Sequence, residues 1–298
     1  MTAIKLIVSD IDGTLVDDQG KLLSQTISGV QAAVQCGAKM VLASARPPKG
    51  MFQIAQQLGI DSTMIAYNGA LTAKTDANDR LQVFAEQPIP RALAQKVQRV
   101  VAERWPVASI NLYANNDWFV ANVGPWEQQE AAGIGFDPQV TNLAAWLRVG
   151  SEPVHKMLIM ADPSVISAVE KTLQEPEFGE LTAYRSKETY LEIVANGVTK
   201  AAALTTLLKE DQLSPQAAIA FGDNFNDVDM LKTAGVGVAM GNAPAAVKAA
   251  ADLVTTANNQ PGIQQVLDKY FNWWGSLIKN VSAKHKKLTW YWNVKAFS

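Results

Sequence analysis

A strongly apolar segment over residues 4–8 runs straight into two acids, Asp10 and Asp12, within the stretch IVSDIDGTLVDD. An apolar run of this length, closed by turn residues, predicts a strand buried on both faces. Residues 24–36 carry helical spacing and are stopped by Gly37. AKMVLA, residues 38–43, predicts a second strand. Residues 49–58 predict a helix stopped by Gly59, and 64–67 a third short strand. Strand and helix in alternation predict a parallel sheet with helices on both faces.

From about Gln82 the pattern changes to longer runs arranged as hairpins. INLYANNDWFVAN, residues 110–122, holds two such runs around Asn-Asn-Asp, and LTAYRSKETYLEIVAN, residues 181–196, repeats the form around residues 186–188. Helical stretches at 90–104 and 163–173 and a strand at 156–160 lie between. This middle segment reads as an α+β unit with an antiparallel sheet, and its tryptophans, Trp146 among them, give it a core of its own. After Asn196 the alternation resumes: helix 199–209, strand 217–221, helix 226–234, strand 236–240, helix 243–251 and strand 253–255. The fold class that follows is α/β, a doubly wound parallel-sheet core interrupted by an inserted α+β domain. The boundaries read as core 1–82 plus 192–270, insert 83–191 and an extension 271–298.

Composition narrows the function classes. The 298 residues are enough for two domains, and 48% hydrophobic with 18% charged residues is ordinary for a globular chain. A net charge of -2 argues against a general nucleic-acid binder. The single cysteine, Cys36, excludes an internal disulfide framework and a multi-cysteine zinc site. It reads as a small hydrophobe packed in a helix. Neither a signal-peptide pattern nor an apolar run of roughly 20 residues occurs, so no transmembrane segment and a cytoplasmic location are expected. The extension breaks the charge pattern. It has no acid, and it holds Lys279, Lys284, Lys286, Lys287 and Lys295 among Trp273, Trp274, Trp290 and Trp292. A membrane surface, another subunit and its own core are the surfaces such a tail suits.

The chemistry collects at strand ends, where open parallel sheets bind ligands. Asp10 and Asp12 follow the first strand, Ser44 the second, and Gly222 and Asp223 follow strand 217–221, with Asn226, Asp227 and Asp229 close behind. Two carboxylates two residues apart at a strand end repel each other, and a hard cation such as Mg²⁺ relieves this. Ser44 opens a tight loop, SARP, and Lys200 stands in the first turn of a helix, where an anion meets the helix dipole. Metal, carboxylate, hydroxyl and lysine together describe a phosphoryl-transfer site.

DIDGTL, LASAR, TKAAAL and GDNFNDVDML, in that order, resemble the four motifs of the haloacid dehalogenase superfamily. The insert, AYNGA (66–70) and VAMGNA (238–243) resemble its Cof-type phosphatases with a type IIB cap, over residues 4 to about 270. The resemblance implies a HAD-like, Rossmannoid core and a Mg²⁺-dependent phosphatase of small phosphorylated metabolites, such as sugar phosphates or phosphorylated cofactors. It implies that Asp10 is nucleophile and metal ligand. Asp12 would be general acid/base, binding metal through its backbone carbonyl, and Asp223 would complete the metal set. Phosphate would be held by Ser44, Lys200, Asn226 and the backbone N–H groups of Ile11 and Ala45, with Asp227 orienting Lys200 or a metal water. Ala45 stands where the family often has glycine, so the loop is expected to differ slightly in geometry.

Plainer roles exist for each residue taken alone. Asp10 and Asp12-Gly13 suit turns, Ser44 and Asn226 suit helix N-caps, and Lys200 suits a solvated surface. Asp229 reads as an exposed or capping acid, and His155 and His285 as packing or surface groups. Arg46 suits either substrate or a structural hydrogen bond. GVGVAMG, residues 235–241, lacks the spacing of a dinucleotide fingerprint. The rival functions are a phosphomutase on the same core and a non-catalytic protein that binds phosphometabolites.

Overall fold

The computed structural model describes residues 3–78 and 80–271. The basic, aromatic tail and His285 lie outside the described residues. The chain first lays down β1 (Leu6–Asp10), α1 (Ser24–Gln35), β2 (Lys39–Ala43), α2 (Pro48–Leu58) and β3 (Thr63–Ala66). A hairpin of β4 (Leu71–Thr75) and β5 (Leu81–Glu86) follows. Next come α3 (Arg91–Arg104), β6 (Ser109–Ala114), β7 (Asp117–Val120), α4 (Pro125–Ile134), β8 (Gln139–Val140), α5 (Leu143–Val149), β9 (Lys156–Met160), α6 (Pro163–Leu173), β10 (Leu181–Lys187) and β11 (Tyr190–Ala195). The last part is α7 (Lys200–Glu210), β12 (Ala218–Gly222), α8 (Val228–Thr233), β13 (Val236–Ala239), α9 (Ala245–Ala250), β14 (Leu253–Val254) and α10 (Gly262–Phe271).

Two sheets result. The larger runs β14-β13-β12-β1-β2-β3-β4-β5, parallel as far as β3 and antiparallel for β4 and β5. The smaller runs β10-β11-β9-β6-β7-β8, antiparallel except between β7 and β8. The chain therefore stays in the larger sheet through Glu86 and leaves the smaller one after Ala195.

Side-chain alternation along β1 explains its central place. Ile7 joins an apolar cluster with Val30, Met51, Leu58 and Val266 from α1, α2 and α10. Leu6 and Val8 join another with Leu204, Leu208, Leu231 and Val247 from α7, α8 and α9. A strand covered on both faces must be apolar throughout until it ends, and all five residues of β1 are buried.

The smaller sheet obeys the same rule. Met157, Ile159, Leu191 and Ile193 pack under α3, α5 and α6. Leu158, Met160, Tyr190 and Val194 on the opposite face join the cluster that includes α2 and β1. One face of the cap sheet thus rests on the core. Among the described residues no helix is long and apolar enough to cross a membrane. Cys36 is half-buried at the C-terminal end of α1.

Candidate active site

The carboxyl ends of three neighbouring strands carry the polar residues. β1 pairs with β12 on one side and β2 on the other, which sets Asp10 beside Ala43 and places Ser44 and Asp223 on either flank. Thr199 caps α7: its hydroxyl oxygen accepts from the Ala202 N–H at 3.0 Å. That starts the helix at Lys200, whose side chain is buried.

Lys200 Nζ donates to Asp10 Oδ1 at 2.5 Å and to Asp227 Oδ1 at 2.7 Å. Burial alone would lower the Lys200 pKa, but the Asp10 and Asp227 carboxylates outweigh it and the pKa stands above the ordinary lysine value. The Asp10 carboxyl is pushed well up, first by burial and then by the charge of Asp227, against the pull of Lys200. Asp223 is raised by burial, with Asp227 adding and its hydrogen bond from Thr14 opposing. Too much negative charge is held here for one lysine to balance.

Asp10, Asp223 and Asp227 each bring a carboxylate oxygen within 4.8 Å of the others, a set of hard donors that fits a divalent cation. Asp227 is the least available of the three. Its Oδ1 takes Lys200, and its Oδ2 accepts from the N–H groups of Asp223 and Asn224, both at 3.0 Å. Asp223 Oδ1 accepts from the Thr14 hydroxyl at 2.7 Å. Gly13 has φ +81°, and a Cβ there would lie 2.4 Å from Asp223 Oδ2, so only glycine lets the first loop approach this carboxylate. Asn242 donates to the Gly13 carbonyl at 2.8 Å and ties the same loop down.

Asp12 is exposed and gripped by Arg46, Nε to Oδ2 at 2.8 Å and NH2 to Oδ1 at 2.7 Å. Arg46 therefore has a bidentate protein partner beside the cavity that it also lines. Ser44 is buried and does not cap α2, whose N-cap is Pro47. Its N–H donates to Ile65, its carbonyl accepts from Asn68, and its Oγ accepts from the Arg46 N–H at 3.2 Å, leaving a hydroxyl proton to donate. Asn226 does not cap α8 either; its Nδ2 donates to Asn68 Oδ1 at 3.1 Å. Ala45 lines the cavity and its carbonyl accepts from Lys156 Nζ at 3.0 Å. Ile11 is buried beneath the site, between Asp10 and Asp12. Asp229 is exposed. His155 is buried, stacked on Tyr67 with Nε2 3.0 Å from Glu86, a packing role.

These groups open into a cavity of about 380 Å³ between the sheets. Asp10, Asp12, Ser44, Arg46 and Asn226 form its core side; Glu130, Lys156, Lys187, Tyr190 and Glu192 form its cap side. A larger concavity, about 910 Å³, lies on the cap away from this chemistry. Its carboxylate, Glu127, is already bonded to Ser109 and to the Gly124 N–H. Sequence reasoning missed Thr14, Asn68, Asn242 and all the cap-side residues. A signal existed for two of them: KMLIM and YLEIVA are buried strands that each carry one charge.

A family model for haloacid dehalogenase-like hydrolases matches residues 7–267. A Haemophilus influenzae protein provisionally named a phosphatase is 32% identical over 270 residues, 90% of this chain and 98% of that protein. The 5-amino-6-(5-phospho-D-ribitylamino)uracil phosphatase of Bacillus subtilis is 28% identical, covering 89% of this chain and 94% of its own. The crystal structure of a haloacid dehalogenase-like hydrolase from Bacteroides thetaiotaomicron superposes with a TM-score of 0.80 at 31% identity, over 89% of this chain and 99% of that one.

Proposed function

The chain belongs to the haloacid dehalogenase-like hydrolases and is a hydrolase of phosphate monoesters; from that premise we propose that it works with Mg²⁺ through a phosphoryl-aspartate at Asp10. The observation that carries this reading is the buried Lys200 bridging Asp10 and Asp227, with Asp223 alongside. Asp10, Asp223 and the Asp12 backbone carbonyl would hold the metal, while Asp227, its oxygens already engaged, orients Lys200. When bound, Mg²⁺ supplies positive charge that offsets both carboxylates and the phosphoryl oxygens.

The free oxygen of Asp10 attacks phosphorus and the bond to the leaving oxygen breaks. Asp12 gives that oxygen its proton once its carboxyl has left the bidentate contact with Arg46, in which both oxygens accept. Asp12 then takes a proton from water, which attacks phosphorus and frees Asp10 and inorganic phosphate. Lys200 has an N–H beyond the two it gives to carboxylates, and this reaches phosphate with the Ser44 hydroxyl, Asn226 and the N–H groups of Ile11 and Ala45.

Substrates are small phosphorylated metabolites, a reading supported by the cavity of about 380 Å³ and by the activity in the Bacillus subtilis relative's name. The unpaired Cys36 suits a reducing compartment, the cytoplasm. The insert is taken as the segment between the two sheet crossings, residues 87–198, a few residues later at each end than the sequence pattern suggests.

Phosphate release across a panel of phosphometabolites tests the reading. Activity is expected with Mg²⁺, abolished by EDTA and restored by added Mg²⁺. Asp10→Asn is expected to lower it by roughly 10³-fold or more. Undiminished release in that variant would remove Asp10 as nucleophile, and an isomeric phosphate ester without release would favour a mutase.

A further inference from the structure

The cap wall of the cavity has a charge arrangement that the core chemistry does not require. Lys156 shares a strand face with Leu158 and Met160, and Glu192 shares one with Tyr190 and Val194. Register pairs Glu192 with Leu158, so the two charges meet on the face turned to the core. Both are buried, 3% and 5% exposed, among apolar neighbours. Lys156 Nζ lies 3.4 Å from Glu192 Oε2, donates to the Ala45 carbonyl at 3.0 Å and sits 4.5 Å from the centre of the Tyr113 ring.

Glu192 uses only half of its carboxylate. Its Oε2 takes Lys156 and, at 3.4 Å, the Tyr184 hydroxyl. Tyr184 is fixed in turn by the Asn68 amide. Within the described residues Oε1 accepts no hydrogen bond, although the residue lines the cavity. Oε1 is open to the cavity rather than sealed in the protein, so a ligand hydroxyl can reach it. Lys156 likewise has three N–H groups and two oxygen partners. A hydroxyl group satisfies both, accepting from the ammonium and donating to the carboxylate.

Net charge on this wall adds a second constraint. Glu130 and Lys187 line it too, Glu130 accepting from the Tyr113 hydroxyl at 2.9 Å and Lys187 lying over the Tyr190 ring. Two acids and two bases leave it neutral. A second phosphate would meet as much repulsion as attraction here.

We propose that Glu192 and Lys156 form a specificity-determining subsite that receives a hydroxyl of an uncharged leaving group. The protein then favours monophosphates of polyhydroxylated molecules over bisphosphates and over esters without hydroxyls. The subsite rests on the phosphatase reading only for what the core does with the phosphate.

The test compares kcat/KM for a hexitol phosphate and for p-nitrophenyl phosphate in the wild type and in Glu192→Gln, which keeps size but loses the anionic acceptor. The ratio of the two values is expected to fall by about 10-fold or more, since hydrogen bonds to charged groups are the stronger kind. Equal loss on both esters, or no loss on either, overturns the proposal. If Glu192→Gln does not fold, Lys156→Met with Glu192→Leu replaces the pair by apolar groups, which buried ion pairs often tolerate, and the same fall in ratio is expected.

Calorimetry separates this proposal from the phosphatase reading. In an Asp10→Asn background, Glu192→Gln is expected to weaken hexitol phosphate binding about 10-fold and inorganic phosphate binding less. Glu192-dependent binding without wild-type turnover of any ester would keep the subsite and sink the phosphatase. Turnover with Glu192-independent binding would do the reverse.

Discussion

Burial treats the charged and titratable side chains of this protein in opposite ways, according to their partners. Lys200 is buried but faces two carboxylates, and the pairing outweighs desolvation. His155 is buried with one half-exposed carboxylate, Glu86, and desolvation wins: its pKa falls below the ordinary 6.5. A histidine whose folded pKa lies below its unfolded one binds fewer protons in the folded state. Its contribution to stability is complete above about pH 6.5 and is lost as pH falls from there toward the folded pKa. Melting temperature should therefore decline on acidification below about pH 6.5. His155→Gln should make that decline shallower in a pH series of thermal melts; an unchanged slope would show that other groups carry it. Legibility divides at this scale too. Asp10, Asp12, Lys200 and Asp223 were legible because each sits in a short local pattern at a strand or helix end. Glu192 and Lys156 showed only as lone charges in apolar strands, and they and Asn68 gain significance only where the cap face meets the core.

At the scale of elements, the turn between β3 and β4 sets the start of α7. Gly69 has φ +114°, and a Cβ there would lie 2.3 Å from the Thr199 carbonyl oxygen. Gly69→Ala combines strained backbone with a clash against the residue that caps the Lys200 helix. We expect a loss of stability of about 2 kcal/mol or more by urea titration, together with weaker inorganic phosphate binding as Lys200 shifts. Full stability in that variant would show that the turn yields. Long, strongly patterned elements were readable: β9 and α6 match the sequence pattern, and the antiparallel hairpins of the cap are where it put them. α4 escaped because only Glu127 and Ile134 are buried along it, too few to make a stripe. β8 has two residues, below any periodicity. α10 was legible, with Ile263, Val266 and Leu267 at helical spacing, but it follows the last strand and went unread. β5, most of which follows the core boundary read at residue 82, pairs with β4 and extends the core sheet.

For the whole molecule, the joints between the sheets are polar and specific. The Tyr67 hydroxyl donates to the Asn115 carbonyl at 2.7 Å, and the Asn116 amide donates to the Thr75 hydroxyl at 2.9 Å. The Gln87 amide reaches the Asn196 carbonyl at 2.8 Å, stapling the outgoing crossing to the returning one. Interruption of the core has a further consequence, in time rather than in space. β1 finds β2 within the first domain's worth of chain, but its other neighbour, β12, pairs Ala218 with Leu6. On the ribosome, one edge of this fully buried strand stays unpaired until the whole insert has been made, a state prone to aggregation. The insert needs no such wait, since all its strand partners lie between Ser109 and Ala195. In refolding followed by pulsed hydrogen exchange, amides of β6, β9 and β11 should gain protection before those of β1 and β12. Simultaneous protection would mean that the two units fold as one. Asp10, at the end of β1, thus meets Asp223 and Asp227 only after the insert has been made, and Lys200, 190 positions away, is the group whose arrival makes its burial tolerable.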